Sequence, residues 1–392
     1  MSVVIASAVR TPMGAFQGAF SSLKASELGA AAIKEAIERA GVANDDVDLV
    51  LMGNVLSAGM GQAPARQAAM FAGLDKKTPT VTLNKMCGSG LEAMIQAARA
   101  VALGDASIVV AGGMESMTNA PYLLPSARGG LRMGNKQLID SMVHDGLWDV
   151  YNDQHMGTCA ELCASHYDLT REAQDTFATE SYKRAQGAME DGSLEGEIVS
   201  VDVKGRKGDV TTVSQDEGPH QVKFEKIPDL RPAFEKEGTV TAANASTIND
   251  GAAALVITTE EIANERGLPV VAHISGYAAH AREPELFTMA PVGAMQKLYD
   301  KLSWQPDSVD IYEINEAFSV VPMAAMDEFS IPRDKVNVYG GAVAVGHPIG
   351  ASGARIVVTL LNALKNGGKN RGMASICIGG GEALAMGVEL AA

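Results

Sequence analysis

Cysteine and long apolar runs are both scarce in this sequence of 392 residues. The four cysteines, Cys87, Cys159, Cys163 and Cys377, are too few for a disulfide framework and form no C-x-x-C pair of the zinc-binding kind. We therefore expect reduced thiols and no metal site. The longest apolar stretches, such as Gly251–Ile257, are far shorter than the roughly 20 residues that cross a bilayer, so no membrane segment is predicted.

Basic residues are also outnumbered, since Lys and Arg total 32 against 47 Asp and Glu, a net charge of −15. Such a chain does not build the broad cationic surface that nucleic acid or anionic lipid requires. The first residues, Ser2–Val9, have the pattern of a strand and lack the basic and apolar regions of a targeting peptide. We therefore expect a cytoplasmic location and neither nucleic acid nor membrane as a partner.

The order of predicted elements occurs twice, which indicates a duplicated domain of strands and helices. The first half has a helix at 25–40, strands at 47–52 and 80–83, a helix after Gly90, and a strand at 107–111 that should stop at Gly112-Gly113. The second half has a helix at 292–302, strands at 309–314 and 335–339, a helix after Gly353, and strands at 373–378 and 383–389. The 41 glycines and 5% aromatic residues also suit the tight turns of an α/β protein.

Residues 118–246, between the halves, contain turn clusters and charge runs with few buried strands, which predicts a large insertion. The start of this region, Thr118–Ile139, contains Arg128, Arg132 and Lys136 but no acidic residue. Two interpretations stay open for it: a solvated loop, or a loop that faces an anion or another subunit.

Two residues occupy corresponding places in the halves, each in a glycine-containing loop before a helix. Cys87 lies where exposed amides and the helix dipole favour a thiolate, although a single cysteine is more often a small buried apolar residue. His347 lies in a loop without the Lys-Ser/Thr of a Walker loop or the spacing of a dinucleotide site, which disfavours nucleotide binding. Neither Ser89 nor Ser352 lies in a G-x-S-x-G elbow, which argues against an α/β-hydrolase.

Two further strand ends point towards the same region. Cys377 is followed by Gly379-Gly380-Gly381, whose amides are free to face an oxyanion; the alternative is a buried thiol beside a tight turn. Asn315 follows the second-half strand that corresponds to 47–52. Residues from three strand ends are thus predicted to converge on one site.

Five motifs occur in order along the chain. They are Asn84-Lys85-Met86-Cys87-Gly88-Ser89-Gly90, Asn244-Ala245-Ser246 with Asn249-Asp250-Gly251-Ala252-Ala253, Asn315-Glu316-Ala317-Phe318, the His347 loop, and Cys377-Ile378-Gly379-Gly380-Gly381. Together they resemble the thiolase family, of the acetyl-CoA acetyltransferase type. The resemblance implies an α/β thiolase-like fold with two α-β-α-β-α layered domains, each containing a five-stranded mixed sheet. The implied boundaries are 1–117 with 247–270 for the first domain, 118–246 for an inserted loop domain, and 271–392 for the second.

The resemblance also implies roles in a ping-pong exchange of two acetyl-CoA with acetoacetyl-CoA and CoA. Cys87 would carry the acetyl group, His347 would act as its base, and Cys377 would remove a proton from the methyl carbon of the second acetyl-CoA. The amides of Cys87 and Gly379 would hold the tetrahedral oxyanion. His347, with a water positioned by Asn315, would hold the enolate oxygen.

The implied contacts with CoA and the acyl group form a larger set. They are Leu147, His155, Met156, His220, Phe234, Ala242, Ser246, Phe287, Ala317 and Phe318. His220 stands where relatives often have Arg, and Phe287 stands where a residue, often Met, lines the acyl pocket. Without the resemblance, His155 is interpreted as a core histidine.

Coenzyme A is expected as substrate and product, with no prosthetic group. The segment Ala242–Thr247 resembles the mitochondrial acetoacetyl-CoA thiolases, some of which use a potassium ion, so a monovalent cation is a further expectation. A homotetramer or dimer is implied as well.

Three alternatives to the acetyltransferase share some of these features. A degradative 3-ketoacyl-CoA thiolase would accept longer chains. A β-ketoacyl synthase would share the fold, but the Cys377 loop argues against it. A non-catalytic carrier of lipid or acyl-CoA on the same fold is disfavoured because Cys87, His347, Cys377 and Asn315 are all present.

Overall fold

The computed structural model describes residues 2–205 and 207–391; Met1, Arg206 and Ala392, which the predicted domains include, lie outside the described residues. The elements of the first half are β1 Val3–Arg10, β2 Gly14–Ala15, α1 Ala25–Ala40, β3 Leu49–Gly53, α2 Pro64–Phe71, β4 Thr80–Leu83, α3 Ser89–Leu103 and β5 Ile108–Ser116. The following region contains β6 Tyr122–Leu123, β7 Ile139–Asp140, α4 Ser141–Gly146, β8 Trp148–Asp149, β9 Gln154–His155, α5 Met156–His166, α6 Arg171–Glu190, β10 Val201–Lys204 and β11 Val210–Val213.

The rest of the chain returns to long strands and helices. These are β12 Asn249–Thr259, α7 Glu260–Arg266, β13 Ala272–Ala281, α8 Ala290–Leu302, β14 Ile311–Ile314, α9 Val320–Phe329, α10 Ala342–Val345, α11 Ile349–Asn366, β15 Arg371–Ile378 and β16 Glu382–Leu390. Short 3₁₀ helices occupy Pro125–Gly129, Pro219–Gln221, Phe224–Lys226, Pro284–Met289, Pro306–Ser308 and Arg333–Lys335. Within the described ranges, no helix is long and apolar enough to cross a membrane.

One strand order is used in both halves of the sheet. The first half is ordered β1-β12-β5-β3-β4 and the second β13-β16-β15-β14. In each half the first two pairings are antiparallel and the next is parallel. The halves meet where β1 pairs with β13, at Val4–His273 and Ile5–Ala272. This repeated order is the duplication that the sequence predicts.

The helices lie in layers on both sides of these strands. Helices α3 and α11 share one apolar cluster with strands of both halves, through fully buried residues such as Leu91, Met94, Val357 and Leu360. Helices α1 and α2 cover the other face of the first half, and α8 and α9 that of the second. The result is the α-β-α-β-α arrangement, with α3 and α11 in the central layer.

The predicted strand at 335–339 is wrong. Residues 333–335 form a 3₁₀ helix, and only one isolated bridge, between Tyr312 and Val336, continues the sheet beyond β14. Asn337 has a φ of 49°, and its side chain accepts from Ile314 N at 2.8 Å and donates to Ile314 O at 2.9 Å. A side-chain amide thus occupies the hydrogen-bonding groups at the end of β14, so the second half has four strands where five were expected.

The prediction that a strand stops at Gly112-Gly113 is also wrong, because β5 continues through both glycines to Ser116. A Cβ on Gly112 would lie 2.0 Å from the Ala253 carbonyl oxygen on β12, and one on Gly113 would lie 2.0 Å from the Gly350 carbonyl oxygen on α11. The two glycines therefore allow close approach of neighbouring backbones within a strand, where the sequence pattern suggested a turn.

Candidate active site

A cavity of about 650 Å³ lies where the two halves and the inserted region meet. Most of the site residues implied by the sequence line it. They are Cys87, Leu147, His155, Met156, Phe234, Ala242, Ser246, Phe287, Ala317, Phe318, His347 and Gly379. Segments far apart in the sequence therefore contribute to one largely apolar space.

Three implied residues do not line this cavity. Cys377 is fully buried at the end of β15, and Asn315 is buried just after β14. His220 is exposed on its 3₁₀ helix, although its neighbours Gly218 and Gln221 do line the cavity. Contact of His220 with a ligand thus stays a prediction.

The starts of α3 and α11 bring Cys87 and His347 to the cavity, since each residue lies just before one of these helices. The helices approach closely at two glycines. A Cβ on Gly90 would lie 2.7 Å from the backbone nitrogen of Ala354, and one on Gly353 would lie 2.5 Å from a backbone nitrogen on α3. The absence of a side chain at both positions lets the two helix starts, and hence the thiol and the imidazole, share one site.

The thiol of Cys87 is protonated in the resting site. Burial raises its pKa to about 11, whereas the backbone amides of Gly379 and of Cys87 itself hydrogen bond to the sulfur and lower the pKa. The sequence led us to expect a thiolate at this helix start; the desolvation cost of the buried charge outweighs the amides and reverses that expectation. A nucleophilic role of Cys87 would therefore need a base.

We expect the alkylation of Cys87 by iodoacetamide, in the absence of CoA, to accelerate about tenfold per pH unit between pH 7 and 9. The reason is that the thiolate fraction of a thiol with a pKa of about 11 rises in that proportion. Peptide mass spectrometry of quenched samples gives the rate. A rate that levels off below about pH 8 would indicate a resting thiolate–imidazolium pair and contradict this prediction.

His347 is the imidazole that lines the cavity together with Cys87. Burial, together with the nearby guanidinium of Arg355, lowers its pKa to about 3, so the imidazole is neutral at physiological pH. Its backbone nitrogen donates to Asn249 Oδ1 at 3.1 Å, and its Nδ1 lies 2.7 Å from Ser352 Oγ. Its Nε2 is buried without a hydrogen-bond partner. The ring is thus held from one side and has one nitrogen left for the cavity.

Asn315 lies between His347 and a buried arginine. Its Oδ1 accepts from Arg355 Nη2 at 3.3 Å, and its Nδ2 lies 3.5 Å from His347 Nδ1. Arg355 in turn lies 3.6 Å from a carboxylate oxygen of Glu313, and both side chains are 1% exposed. Because a guanidinium only donates, this contact fixes which end of the Asn315 amide faces the histidine.

Cys377 is the second thiol near the cavity. Burial raises its pKa well above the ordinary value, and the proximity of Cys87 raises it further because two thiolates would repel each other. The two thiols thus lie close enough to influence each other, while only Cys87 lines the open cavity. The arrangement suits two thiols that ionise in turn.

Part of the cavity wall is aromatic. The rings of His155 and Phe234 stack with centroids 4.7 Å apart, and His155 Nδ1 accepts from Gly157 N at 3.0 Å. Nε2 is therefore the protonated nitrogen of the neutral ring, and burial lowers the pKa of His155. Phe287 lines the cavity and is also packed in the second-half core, with 2% exposure.

Sequence reasoning missed Glu115, a fully buried acid at the end of β5. Its Oε2 accepts from Val55 N at 3.0 Å and Gly350 N at 2.9 Å, and its Oε1 accepts from Leu56 N at 3.2 Å and Asn54 Nδ2 at 2.8 Å. One carboxylate thus ties the loop after β3 to the start of α11, beside His347. Burial raises the pKa of Glu115 to about 7. The sequence signal that could have identified Glu115 is an acidic residue within an otherwise apolar strand pattern.

Comparison with known proteins agrees with this geometry. Residues 3–261 match the model of the thiolase N-terminal domain and residues 268–390 that of the thiolase C-terminal domain. The chain belongs to the thiolase family. As a thiolase it is an acyltransferase enzyme with a coenzyme A ester as substrate and no prosthetic group.

Full-length relatives support the same assignment. The thiolase is 50% identical over 388 residues to the acetyl-CoA acetyltransferase of Cupriavidus necator, covering 99% of each chain. It is similar to the crystal structure of Acat5 thiolase from Ascaris suum in complex with coenzyme A, with a TM-score of 0.95, 44% identity and complete coverage of both chains. It is also similar to the Bacillus anthracis acetyl-CoA acetyltransferase, with a TM-score of 0.97, 39% identity, and coverage of 100% of this chain and 99% of that one.

Proposed function

We propose that this thiolase is an acetyl-CoA C-acetyltransferase, which condenses two acetyl-CoA reversibly to acetoacetyl-CoA and CoA through an acetyl-Cys87 intermediate. The observation that carries the proposal is the convergence of Cys87, a neutral His347 and the Gly379 amide on one cavity, with Cys377 buried beside it. Full-length relatives that are named acetyl-CoA acetyltransferase support it.

In the first half-reaction, His347 takes the Cys87 proton while the sulfur attacks the thioester carbon of acetyl-CoA. The amides of Cys87 and Gly379, which face this sulfur, hold the oxyanion that forms. Collapse of the tetrahedral intermediate breaks the bond to CoA, and Cys377 gives its proton to the departing sulfur. The enzyme is left with an acetyl-Cys87, an imidazolium and a Cys377 thiolate, and the attraction between these opposite charges offsets part of the desolvation cost that burial imposes on each.

In the second half-reaction, the Cys377 thiolate removes a proton from the methyl carbon of a second acetyl-CoA. The enolate oxygen lies towards His347, now cationic, and towards a water that the amide of Asn315 positions. The carbanion attacks the acetyl carbon, and the Cys87 sulfur leaves and recovers its proton from His347. The protons balance over the cycle, and both thiols return to the protonated state that burial favours.

The chain-length preference tests the proposal most directly. Phe287 lines the cavity within a tightly packed core, so extra methylenes have little room. We expect kcat/KM for thiolysis of 3-ketooctanoyl-CoA to be at least about tenfold below that of acetoacetyl-CoA, because the four extra methylenes must displace packed side chains and such overpacking costs about 1–3 kcal/mol. Equal efficiency on both substrates would instead support the degradative 3-ketoacyl-CoA thiolase.

Replacing Phe287 with Ala should reduce this discrimination to about threefold or less, while acetoacetyl-CoA is still cleaved. Phe329→Ala is the matched control, because Phe329 packs against the same core without lining the cavity. Thiolysis rates over the chain-length series, with thermal melts of all three proteins, separate the outcomes. Equal loss of stability in both variants with unchanged discrimination would assign Phe287 to the core alone.

We also propose that the thiolase forms a homotetramer or a dimer in which Thr118–Ile139 contacts a second copy. This loop exposes apolar side chains on an acidic molecule: Tyr122 is 65% exposed, Leu131 54%, Met133 98% and Leu138 64%. The basic Arg128, Arg132 and Lys136 lie among them and are exposed too. An exposed patch that combines apolar and basic groups suits the acidic surface of another copy.

Shortening this loop by removal of residues 127–137 should shift the particle mass towards a smaller species, such as a dimer, in multi-angle light scattering. The paired strands β6 and β7 at the base of the loop are retained. Leu103→Ala is the control, because Leu103 is an equally exposed apolar residue, at 76%, on another part of the surface. An unchanged mass for the shortened protein would contradict the assembly role.

Three further proposals follow from the sequence. The first is a cytoplasmic location. The second is the division into residues 1–117 with 247–270, 118–246 and 271–392. The third is a bound monovalent cation. Among the described residues, Ala242–Thr247 contain no buried side-chain oxygen or nitrogen that lacks a hydrogen-bond partner, so these side chains provide no free ligand for a cation. No step of the reaction is therefore assigned to an ion. Equal thiolysis rates in potassium and sodium buffers would contradict the proposed cation.

A further inference from the structure

A hydroxyl group that the reaction scheme leaves unused lies directly behind the proposed base. Ser352 is fully buried near the start of α11, and its Oγ lies 2.7 Å from His347 Nδ1. The same oxygen lies 2.8 Å from the carbonyl oxygen of Pro348. The serine thus makes two short contacts with only one proton of its own.

That single proton decides which nitrogen of the His347 ring is protonated. Two oxygens 2.8 Å apart repel each other unless a hydrogen lies between them, and a carbonyl has no hydrogen to give, so the Ser352 hydroxyl donates to Pro348. The Ser352 oxygen is then free only to accept from His347 Nδ1. A neutral imidazole with its proton on Nδ1 keeps a lone pair on Nε2.

The serine at the corresponding place in the first half donates one hydrogen bond and accepts another without ambiguity. Ser89, near the start of α3, accepts from the backbone nitrogen of Lys85 at 2.8 Å and donates to the carbonyl of Met86 at 2.6 Å. A backbone N–H can only donate, so the direction of both hydrogen bonds is certain there. In the second half the donor that corresponds to Lys85 N is the ring of His347.

The remaining polar neighbour of the ring does not compete with the serine. Asn315 Nδ2 lies 3.5 Å from His347 Nδ1, at the limit of a hydrogen bond, whereas Ser352 lies at 2.7 Å. The Asn315 amide is held in this orientation by Arg355, so it cannot turn its oxygen towards the ring. Ser352 is therefore the group that sets the tautomer.

We propose that Ser352 is a positioning residue that holds His347 in the Nδ1–H tautomer, so that Nε2 takes the Cys87 proton. The inference rests on the proposed function for its catalytic consequence. Nε2 is buried without another partner, and His347 lines the cavity together with Cys87. The step breaks the Cys87 S–H bond and forms an N–H bond at Nε2, while the hydrogen bond from Nδ1 to Ser352 persists in the imidazolium.

The kinetic test compares Ser352→Ala with the wild-type enzyme in acetoacetyl-CoA thiolysis. We expect kcat to fall by about 10²-fold with KM changed less than about threefold, because a misplaced proton weakens base catalysis and leaves substrate binding intact. Ser352→Thr, which keeps the hydroxyl, should recover most of kcat. Ser7→Ala is the matched control: this buried serine also donates to a carbonyl, that of Ala36 at 2.6 Å, but lies on β1 away from the cavity.

The tautomer itself is measured by ¹⁵N NMR of histidine-labelled protein, with His347→Asn identifying the signals among the seven histidines. Wild type should show a protonated Nδ1 and an unprotonated Nε2, and Ser352→Ala should lose this preference. A protonated Nε2 in wild type, or wild-type kcat in Ser352→Ala, would overturn the inference. A wild-type enzyme that cleaves no 3-ketoacyl-CoA would overturn the proposed function instead, and the NMR result would still decide the role of Ser352.

Discussion

Replacement of Cys87 by Ala should abolish acetyl transfer, with kcat at least about 10⁴-fold below wild type, because the acetyl group then has no sulfur with which to form a thioester. Cys87 is the one thiol that lines the cavity within the described residues, and the Gly379 amide faces it. The buried Cys377 does not open to the same space, so it should not substitute. Incubation with radiolabelled acetyl-CoA, followed by denaturing chromatography, measures the covalent intermediate directly.

Cys159→Ala is the control for this experiment. Cys159 is a fully buried thiol on α5 that does not line the cavity. This variant should take up label at the wild-type stoichiometry. Stoichiometric labelling of the Cys87→Ala protein would show that another residue carries the acetyl group and would refute the assignment.

The Cys377→Ser variant should separate the two half-reactions. Carbon–carbon bond formation and cleavage should slow by about 10³-fold, because a hydroxyl is a far weaker acid than a thiol and does not supply the base for the methyl proton. Acetylation of Cys87 from acetyl-CoA should continue at a reduced rate, because His347 still serves the attack by Cys87, and CoA, whose sulfur Cys377 protonates in the wild type, can also depart as a thiolate. Condensation rates and acetyl-enzyme formation, measured on the same preparation, give both values.

Cys163→Ser provides the matched control for Cys377, because Cys163 is another fully buried thiol whose charge would influence Cys377. Its sulfur contacts the Val320 carbonyl and does not line the cavity. This variant should keep both half-reactions within about twofold of wild type. If Cys377→Ser neither condenses acetyl-CoA nor becomes acetylated while Cys163→Ser does both, the proposed separate roles of Cys87 and Cys377 are wrong.

Much of the fold could be predicted because local chemistry and tertiary structure agree. The helix at 25–40 and the strand at 80–83 occur with the predicted bounds, and Gly104 ends α3 in the left-handed conformation. The predictions failed where groups distant in the sequence determine the local structure. The strand through Gly112-Gly113 depends on carbonyls from β12 and α11, and the missing strand at 335–339 depends on the side chain of Asn337.

The candidate site divides in the same way. The motifs that resemble thiolases contain Cys87, His347, Asn315 and Cys377, and the sequence is enough to select these residue types and place them at strand ends and helix starts. Their chemical states were not predictable from the sequence. Whether a thiol ionises depends on how much water remains around it, and the burial of Cys87 depends on segments from every region of the chain.

By itself, the sequence determined the residue types, the order of the elements and the duplication, because hydrophobic periodicity and glycine positions are local properties of a chain. Only the tertiary structure decided which of these residues share a cavity, which remain protonated and which nitrogen of His347 is free. Those properties arise from desolvation and from hydrogen bonds between residues distant in sequence, such as Glu115 with Gly350 and Asn315 with Arg355. Ser352 shows the difference most clearly, since its sequence context suggested no role and its place beside the imidazole suggests one.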